Sequence, residues 1–258
     1  MSKRTDSLFV QSLAKGLRLL ECFADRPSPM SLNDLAEACE VDRSTVQRMT
    51  HTLVAMGYLE RGSNGRGYVM GKKTLDRAFD YLRGVPLLER ATPIMVELQR
   101  ESAERVELSL FDGLTIIFAL RRQTKRQAYT MTLIGRRLPT IYTAGGRSVL
   151  SHLPADQVDQ ILAETTTKPF TPKTLTDHDL IRAEIETARR KGYALSSEES
   201  ALGEVNLACA ILDHQQLPIA AVHISASLSD WSRDEFETRF SPLVVNAAKE
   251  LSGKVGLS

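Results

Sequence analysis

Ser31 to Tyr68 reads SLNDLAEACEVDRSTVQRMTHTLVAMGYLERGSNGRGY, and this stretch decides the fold of the chain's first third. Leu32, Leu35, Ala36 and Cys39 are apolar at helical spacing, and Ser31 stands before them as an N-cap. The pattern breaks at Glu40-Val41, and Asp42 is a second N-cap candidate. Val46, Met49, Leu53 and Met56 then form the apolar line of a second helix, which Gly57 closes. Arg43, Ser44, Thr45, Gln47, Arg48 and His51 fall on its other faces, giving a front end rich in polar and charged side chains. A helix, a tight turn and a second helix that buries one stripe and offers the rest to a major groove is a helix-turn-helix. Tyr58–Arg61 and Gly67–Met70 read as two short strands around the turn Gly62-Ser63-Asn64-Gly65-Arg66. A hairpin directly after a recognition helix is a wing. Ser44, Gln47 and Arg48 can read base edges. Arg61 and Arg66 suit phosphate or minor-groove contact, with Asn64 between them as a further DNA-binding candidate. The plainer alternative is a small helical subdomain with a polar surface.

Working outward, Phe9–Phe23 is amphipathic, with Leu13, Leu17, Leu20 and Cys22/Phe23 as the stripe expected to pack behind the helix-turn-helix. Asp25–Pro29 is a loop in which prolines stop that helix. Residues 1–70 form the winged domain. Leu75, Phe79 and Leu82 mark a linker helix in residues 71–84, whose apolar edge can pair with a second copy. A second domain takes residues 85–258, after the joint Gly84-Val85-Pro86.

Leu87–Arg105 reads as a long amphipathic helix, followed by strands at Val106–Phe111, Leu114–Leu120 and Ala128–Leu133. Asp112-Gly113 signals the first hairpin. Arg121, Arg122, Lys125 and Arg126 are expected to crowd one solvated loop. From Arg137 to Leu150 an extended segment reaches small residues and enters a helix. Glycines there admit close approach of backbone N–H groups, and a helix start favours an anion. The spacing fits neither a phosphate loop nor a dinucleotide site, so a carboxylate is the better ligand; tight packing alone is the competing explanation. Helices at Asp156–Ala163 and Asp177–Lys191, strands at Tyr193–Ser197, Leu207–Leu212 and Ile219–Ser225, and a closing helix Arg233–Leu251 complete the chain. The fold class is α+β: a winged helix-turn-helix, a linker helix and a GAF/PAS-like effector-binding domain rather than a doubly wound sheet.

The 258 residues are 42% hydrophobic and 25% charged, the composition of an ordinary globular protein. No apolar run approaches the ~20 residues that span a bilayer, and no signal core follows the first residues, so the cytoplasm is expected. Net charge is +1, but residues 1–84 carry 13 basic against 10 acidic side chains and the remainder 20 against 22. That asymmetry has the sign of an N-terminal DNA-binding domain. Cys22, Cys39 and Cys209 are scattered and expected as buried free thiols. The five histidines have no ligand spacing, and neither metal nor cofactor is expected.

Nor is catalysis expected. There is no GxSxG and no HExxH. Glu198 and Glu199 are adjacent, so in a strand they point to opposite faces. His223 and Ser225 share a strand face, without an acid partner or oxyanion loop nearby, and suit hydrogen bonding to a small ligand. Two rivals stay open: a small-acid enzyme with an appended helix-turn-helix, and an adaptor whose winged helix binds protein.

Taken together, QSLAKGLRLLECF, the Ser31–Arg61 stretch, RLP…TAGGRSVLS, RRKGYALSSEESALGEVNLACAILD and LPIAAVHISAS resemble, in order and spacing, the IclR family of bacterial transcription regulators from about Phe9 to Leu251. The resemblance implies operator DNA as partner, a small organic acid as effector of a catabolic operon, and dimers that often form tetramers. RNA polymerase is a further candidate partner. FVQSLAKGL and Arg147 resemble the branch sensing aromatic acids such as protocatechuate or 4-hydroxybenzoate. By motif position the effector pocket takes Leu138, Thr143, Ala144, Gly145, Ser196, Asn206, His223 and Ser225, with Gln127 and Thr130 from the preceding strand. Tyr142, Met131 and Leu138 would offer apolar area to a ring. Ser196, Asn206 and His223 depart from the Asp, Cys and Ser of the glyoxylate/pyruvate-sensing type, which implies a different ligand. The histidine also makes binding expected to respond to pH.

Overall fold

The computed structural model describes residues 8–24, 29–124, 134–166 and 168–253. The backbone divides into two compact units, 1–81 and 82–258.

The first unit opens with α1 (Gln11–Glu21), α2 (Leu32–Cys39) and α3 (Arg43–Ala55). Ser31 and Asp34 form a reciprocal capping box on α2, and the Asp42 carboxylate accepts from the Thr45 amide on α3. Glu40, at φ 53°, makes the left-handed turn between α2 and α3. Strands β1 (Leu59–Arg61) and β2 (Tyr68–Met70) pair antiparallel as the wing, and Met30 bridges to Tyr68. Leu19, Met30, Leu35, Cys39, Val46, Leu59 and Tyr68 form the core. The α1 stripe differs from the one expected: Leu19 is fully buried, while Leu13 and Leu17 are 62% and 52% exposed. Leu20, Cys22 and Phe23 of the expected stripe do pack against this core, whereas the side of α1 carrying Leu13 and Leu17 is left uncovered within this unit. Met56 is likewise 50% exposed. Cys22 and Cys39, distant in sequence, bring their sulfurs to 2.9 Å. Burial, reinforced by Cys22, pushes the Cys39 thiol up to about 12.

Helix α4 (Lys73–Arg83) follows, and the second unit begins within it. Helix α5 (Pro86–Ser102) ends at Ala103, whose φ of 56° reverses the chain. Arg105, expected inside that helix, is therefore the first residue of β3 (Arg105–Asp112). The chain continues through β4 (Thr115–Arg122), β5 (Arg137–Pro139), α6 (Ala144–Leu150), α7 (Ala155–Glu164), α8 (His178–Lys191), β6 (Ala194–Ser197), β7 (Glu204–Leu212), β8 (Pro218–Ser227) and α9 (Arg233–Leu251). The six strands form one antiparallel sheet in the order β5-β4-β3-β8-β7-β6. Arg121 and Arg122 close β4 rather than lying in a loop, and Lys125, Arg126 and the strand expected at Ala128–Leu133 lie outside the described residues.

Alternation along these strands separates two faces. Val106, Leu108, Leu207, Cys209, Val222 and Ile224 belong to the main core, together with buried side chains of α5 and α9. The other face carries Arg105, Glu107, Ser109, Asn206, His223, Ser225 and Ser196, aligned across neighbouring strands by the register Ser196↔Asn206↔Ser225↔Arg105 and Glu107↔His223. Helix α6 packs over β7 and β8. Glu107 is 3%, His223 4% and Ser225 0% exposed, so this polar row is interior.

Candidate functional site

In the first unit, α3 turns about 100° per residue. Its buried arc holds Val46 and Thr50, and Ser44, Gln47, Arg48 and His51 share an exposed arc, with Arg43 exposed at the front. Thr45 is half-buried. Ser44 and Thr45 donate their hydroxyls to the Asp42 carboxylate at 2.7 and 2.6 Å, so these two side chains also build the cap; their oxygens keep acceptor capacity. Those bonds hold the Asp42 carboxyl well below its ordinary range, Ser44 contributing most. On the wing, Arg61 stacks 4.4 Å over the Tyr68 ring, and Asn64 Oδ1 accepts from the Arg66 amide at 3.0 Å, shaping the tip. Arg61, Asn64 and Arg66 are exposed. Arg48 and Thr45 also border a groove of about 890 Å³ lined by Leu13, Leu17, Leu20, Met49, Leu53 and Met56 and reaching Arg77 of α4. That groove is where the uncovered side of α1 leads.

In the second unit, a cavity of about 60 Å³ opens on the polar sheet face. Leu138, Thr143, Ala144, Ser196, Asn206 and His223, six of the residues named from the motif positions, line it. Arg105, Glu107, Phe118, Arg136 and Glu204 line it too. The alternation Arg105-Val106-Glu107-Leu108-Ser109 was the available signal for the first two, obscured because the helix was extended through Arg105. Ser225 lies in the same row and donates to Glu107 at 3.3 Å. Gly145 packs directly on His223: a Cβ there would fall 2.1 Å from the ring's Cε1. One at Gly146 would fall 1.8 Å from the Thr140 carbonyl oxygen. These glycines serve close packing, and the Gly146 amide already donates to the Thr143 hydroxyl at 3.0 Å. Tyr142 belongs to a separate cluster with Ile141 and Leu150, edge-on to Phe170 at 6.3 Å, and does not line the cavity. The aromatic side chain at the cavity is Phe118, 5.5 Å from the His223 ring. Gln127, Thr130 and Met131 lie outside the described residues.

Arg105, Glu107 and Glu204 of this lining form ion pairs, while Arg136 lines the same cavity from an exposed position. Arg105 Nε donates to Glu107 at 3.2 Å and Arg105 also pairs with Glu204; Arg121 stands 3.6 Å from Glu107. Burial depresses His223 to about 4, and its Nε2 hydrogen-bonds Ser109 Oγ at 2.7 Å. It is therefore neutral near pH 7, and the expected pH response near neutrality has no titrating group in this histidine. Behind the cavity, Arg147 is 1% exposed and makes a bidentate pair with Glu199 at 2.7 and 2.6 Å. Glu198, at φ 61°, turns outward to Lys173, so the two adjacent glutamates do part. The polar groups gathered here could hydrogen-bond a small polar molecule; no nucleophile with base and orienting acid is assembled among the described lining residues.

A family model described as the bacterial transcriptional regulator IclR C-terminal domain matches residues 79–253, and the IclR helix-turn-helix domain matches residues 12–63. The chain belongs to the IclR family of bacterial transcriptional regulators. It is 28% identical over 247 residues to the Pca regulon regulatory protein of Pseudomonas putida, covering 95% of this chain and 84% of that protein. It is 29% identical to the transcriptional repressor IclR of Escherichia coli, covering 94% and 89%. Among solved structures, a putative transcriptional regulator from Rhodococcus sp. RHA1 superposes with a TM-score of 0.80 at 30% identity, covering 94% of this chain and 97% of that one. An IclR homologue of Microbacterium hydrocarbonoxydans complexed with 4-hydroxybenzoate shares the fold, with a TM-score of 0.75 at 23% identity and coverage of 93% and 97%. The winged unit is thus an IclR-family DNA-binding domain and the second an IclR-family ligand-binding domain. No described helix is long and apolar enough to cross a membrane.

Proposed function

We propose that this chain regulates a catabolic operon from the cytoplasm, binding a near-palindromic operator and changing its hold on DNA when a small organic acid enters the second unit. Residues 1–70 act as the reader, 71–84 as the linker and 85–258 as the sensor. The observation that carries the reading is the exposed arc of α3, fixed at its start by the Asp42 cap. Arg43, Ser44, Thr45, Gln47, Arg48 and His51 face the major groove, and Arg61, Asn64 and Arg66 hold phosphates or the minor groove. A second copy covers the apolar groove beside α1, since exposed Leu13, Leu17 and Met56, with Leu75 and Phe79 on α4, form too large an apolar area for an isolated unit. Two such dimers make a tetramer. Activation, where it occurs, adds contact with RNA polymerase.

The sensor cavity supports a short acid. A benzene-sized cavity measures about 150 Å³, well above the 60 Å³ here, so an aromatic acid such as the one held by the Microbacterium homologue requires the cavity to open. Leu138, Thr143, Ala144, Ser196, Asn206 and His223 contact the effector, and Gly145 and Ser225 hold those groups in place.

The test is titration of the duplex upstream of the chain's own gene. Wild-type protein is expected to bind it with a steep salt dependence and to release or reshape it in the presence of one acid from a panel. Arg48→Ala should remove specific binding, and His223→Ala with Ser225→Ala should weaken the acid without changing apo binding. An Arg48→Ala protein that binds as wild type removes that residue from the contact surface.

A further inference from the structure

We infer that Cys22 and Cys39 are an oxidation site, a thiol pair that a hydroperoxide converts into a disulfide locking the core of the reader unit. The two residues lie 17 positions apart and belong to different elements: Cys22 is the C-cap of α1 and Cys39 the last residue of α2. Both pack in the core with Leu19, Leu35, Val46 and Leu59. Their sulfurs stand 2.9 Å apart, roughly 0.9 Å beyond the ~2.05 Å of a bonded pair. A gap this small is within reach of side-chain torsions. A cysteine that only fills space is served by any apolar neighbour, whereas here each sulfur's partner is the other sulfur. Cys209, in the other unit, instead donates its thiol to the Gly192 carbonyl at 3.1 Å. In the reducing compartment proposed for this chain, a disulfide is transient and closes only under oxidation.

The two sulfurs divide the chemistry. Cys39 is 7% exposed, and burial, with the neighbouring Cys22 sulfur, keeps its thiol protonated. Cys22 is half-buried and does not line the groove proposed for a second copy, so it stays open to solvent when that groove is covered. Cys22 is therefore the sulfur that meets the oxidant. It attacks the outer oxygen of the hydroperoxide: an S–O bond forms, the O–O bond breaks, and the thiol's proton leaves with the alcohol, or water, that is released. The Cys39 sulfur then attacks the Cys22 sulfur: the S–S bond forms, the S–O bond breaks, and hydroxide departs as water with the Cys39 proton. Two thiols and one hydroperoxide give one disulfide, one water and one alcohol or second water. The sulfurs lose two electrons and the peroxide oxygens gain them.

The bond ties the end of α1 to the end of α2 and removes open states from the unfolded reader unit. Cys39 also precedes Glu40, the left-handed residue that turns the chain toward α3. The lock therefore steadies the base of the recognition helix. The exposed arc of α3 is untouched, because its start is fixed separately by Asp42 through Ser44 and Thr45. Oxidation stabilises the reader without releasing DNA.

The test uses the full-length protein, reduced, freed of reductant and titrated with hydrogen peroxide. Peptide mapping is expected to find Cys22 joined to Cys39 with the loss of two hydrogens, Cys209 still a free thiol, and both thiols restored by dithiothreitol. Hydrogen exchange should show the amides of α1 and α2 opening less often in the oxidised protein, by roughly tenfold or more. Affinity for the upstream duplex should stay the same. Cys39→Ala removes the resolving thiol, so Cys22 should accumulate as a sulfenic acid that dimedone traps, whereas Cys22→Ser should leave Cys39 unmodified. If those variants fail to fold, the wild-type map decides alone. Links between separate chains, oxidation of Cys209 ahead of the pair, or Cys22 passing to sulfinic acid with Cys39 still free overturns the site. A linked protein whose α1 and α2 exchange as fast as before, or which lets go of the duplex, overturns the lock. A reduced protein that never binds the duplex sinks the operator reading alone.

Discussion

Two arginine settings in this chain, one in each unit, illustrate opposite solutions to the same charge. Arg48 stands exposed on α3, at the edge of the apolar groove, where it can meet a base edge or phosphate. Arg105 and Arg147 are interior, 4% and 1% exposed, and each is held by glutamates. An exposed cation on a recognition helix costs little to keep and is available to any duplex. A buried one is tolerable only with its partners, so its partners become part of whatever it recognises. The reader unit thus displays its chemistry on a surface, whereas the sensor unit conceals its own beneath α6.

The comparison breaks first at Arg147. Replacing Arg147 by Leu leaves Glu199 buried and unpaired and is expected to destabilise the second unit by about 3–5 kcal/mol, measured by urea unfolding. The paired change Arg147→Met with Glu199→Leu should recover most of that loss; a single variant as stable as wild type would show the pair to be unimportant. The next effect is set by His223. Its pKa falls from an ordinary 6.5 to about 4 in the folded protein, so the unfolded chain binds its proton first. Stability from this group is complete above about pH 6.5 and declines as pH drops toward 4, by up to roughly 3 kcal/mol. His223→Gln should flatten that slope in a pH series of unfolding curves, and an unchanged slope assigns it to other groups. The smallest effect lies on the reader. Ser31→Ala removes one half of the α2 capping box and should cost about 1 kcal/mol, with operator contacts on α3 intact. A larger loss of DNA binding than of stability would mean that the α2 start touches DNA itself.

Much of the reader was legible because its signals are local. Ser31 and Asp42 cap where side-chain chemistry says they should, and Gly57 follows the end of α3. What the sequence concealed there was which apolar residues stay uncovered: Leu13, Leu17 and Met56 have the spacing of core residues but no core within their own unit. In the sensor, strands and helices were largely readable, yet its charged groups were not. Arg105 hid behind a helix whose end is set by Ala103 adopting a left-handed conformation, which alanine gives no reason to expect. The Arg147–Glu199 pair joins positions 52 residues apart, and only the folded sheet brings them together. The glycines after Thr143 suggested an amide cradle, and their close packing against His223 and Thr140 answers the alternative that the sequence had left open.

On the proposed function, the exposed arc of α3 reads sequence while the wing supplies sequence-independent grip. That division is tested most directly by the ratio of affinities for the upstream duplex and a scrambled duplex of equal length and composition. Gln47→Ala/Arg48→Ala is expected to collapse that ratio toward one, since each base contact contributes about 1–3 kcal/mol of discrimination. Arg66→Ala should weaken both duplexes alike and leave the ratio unchanged. A ratio that survives loss of Gln47 and Arg48 but falls with Arg66 would contradict the account.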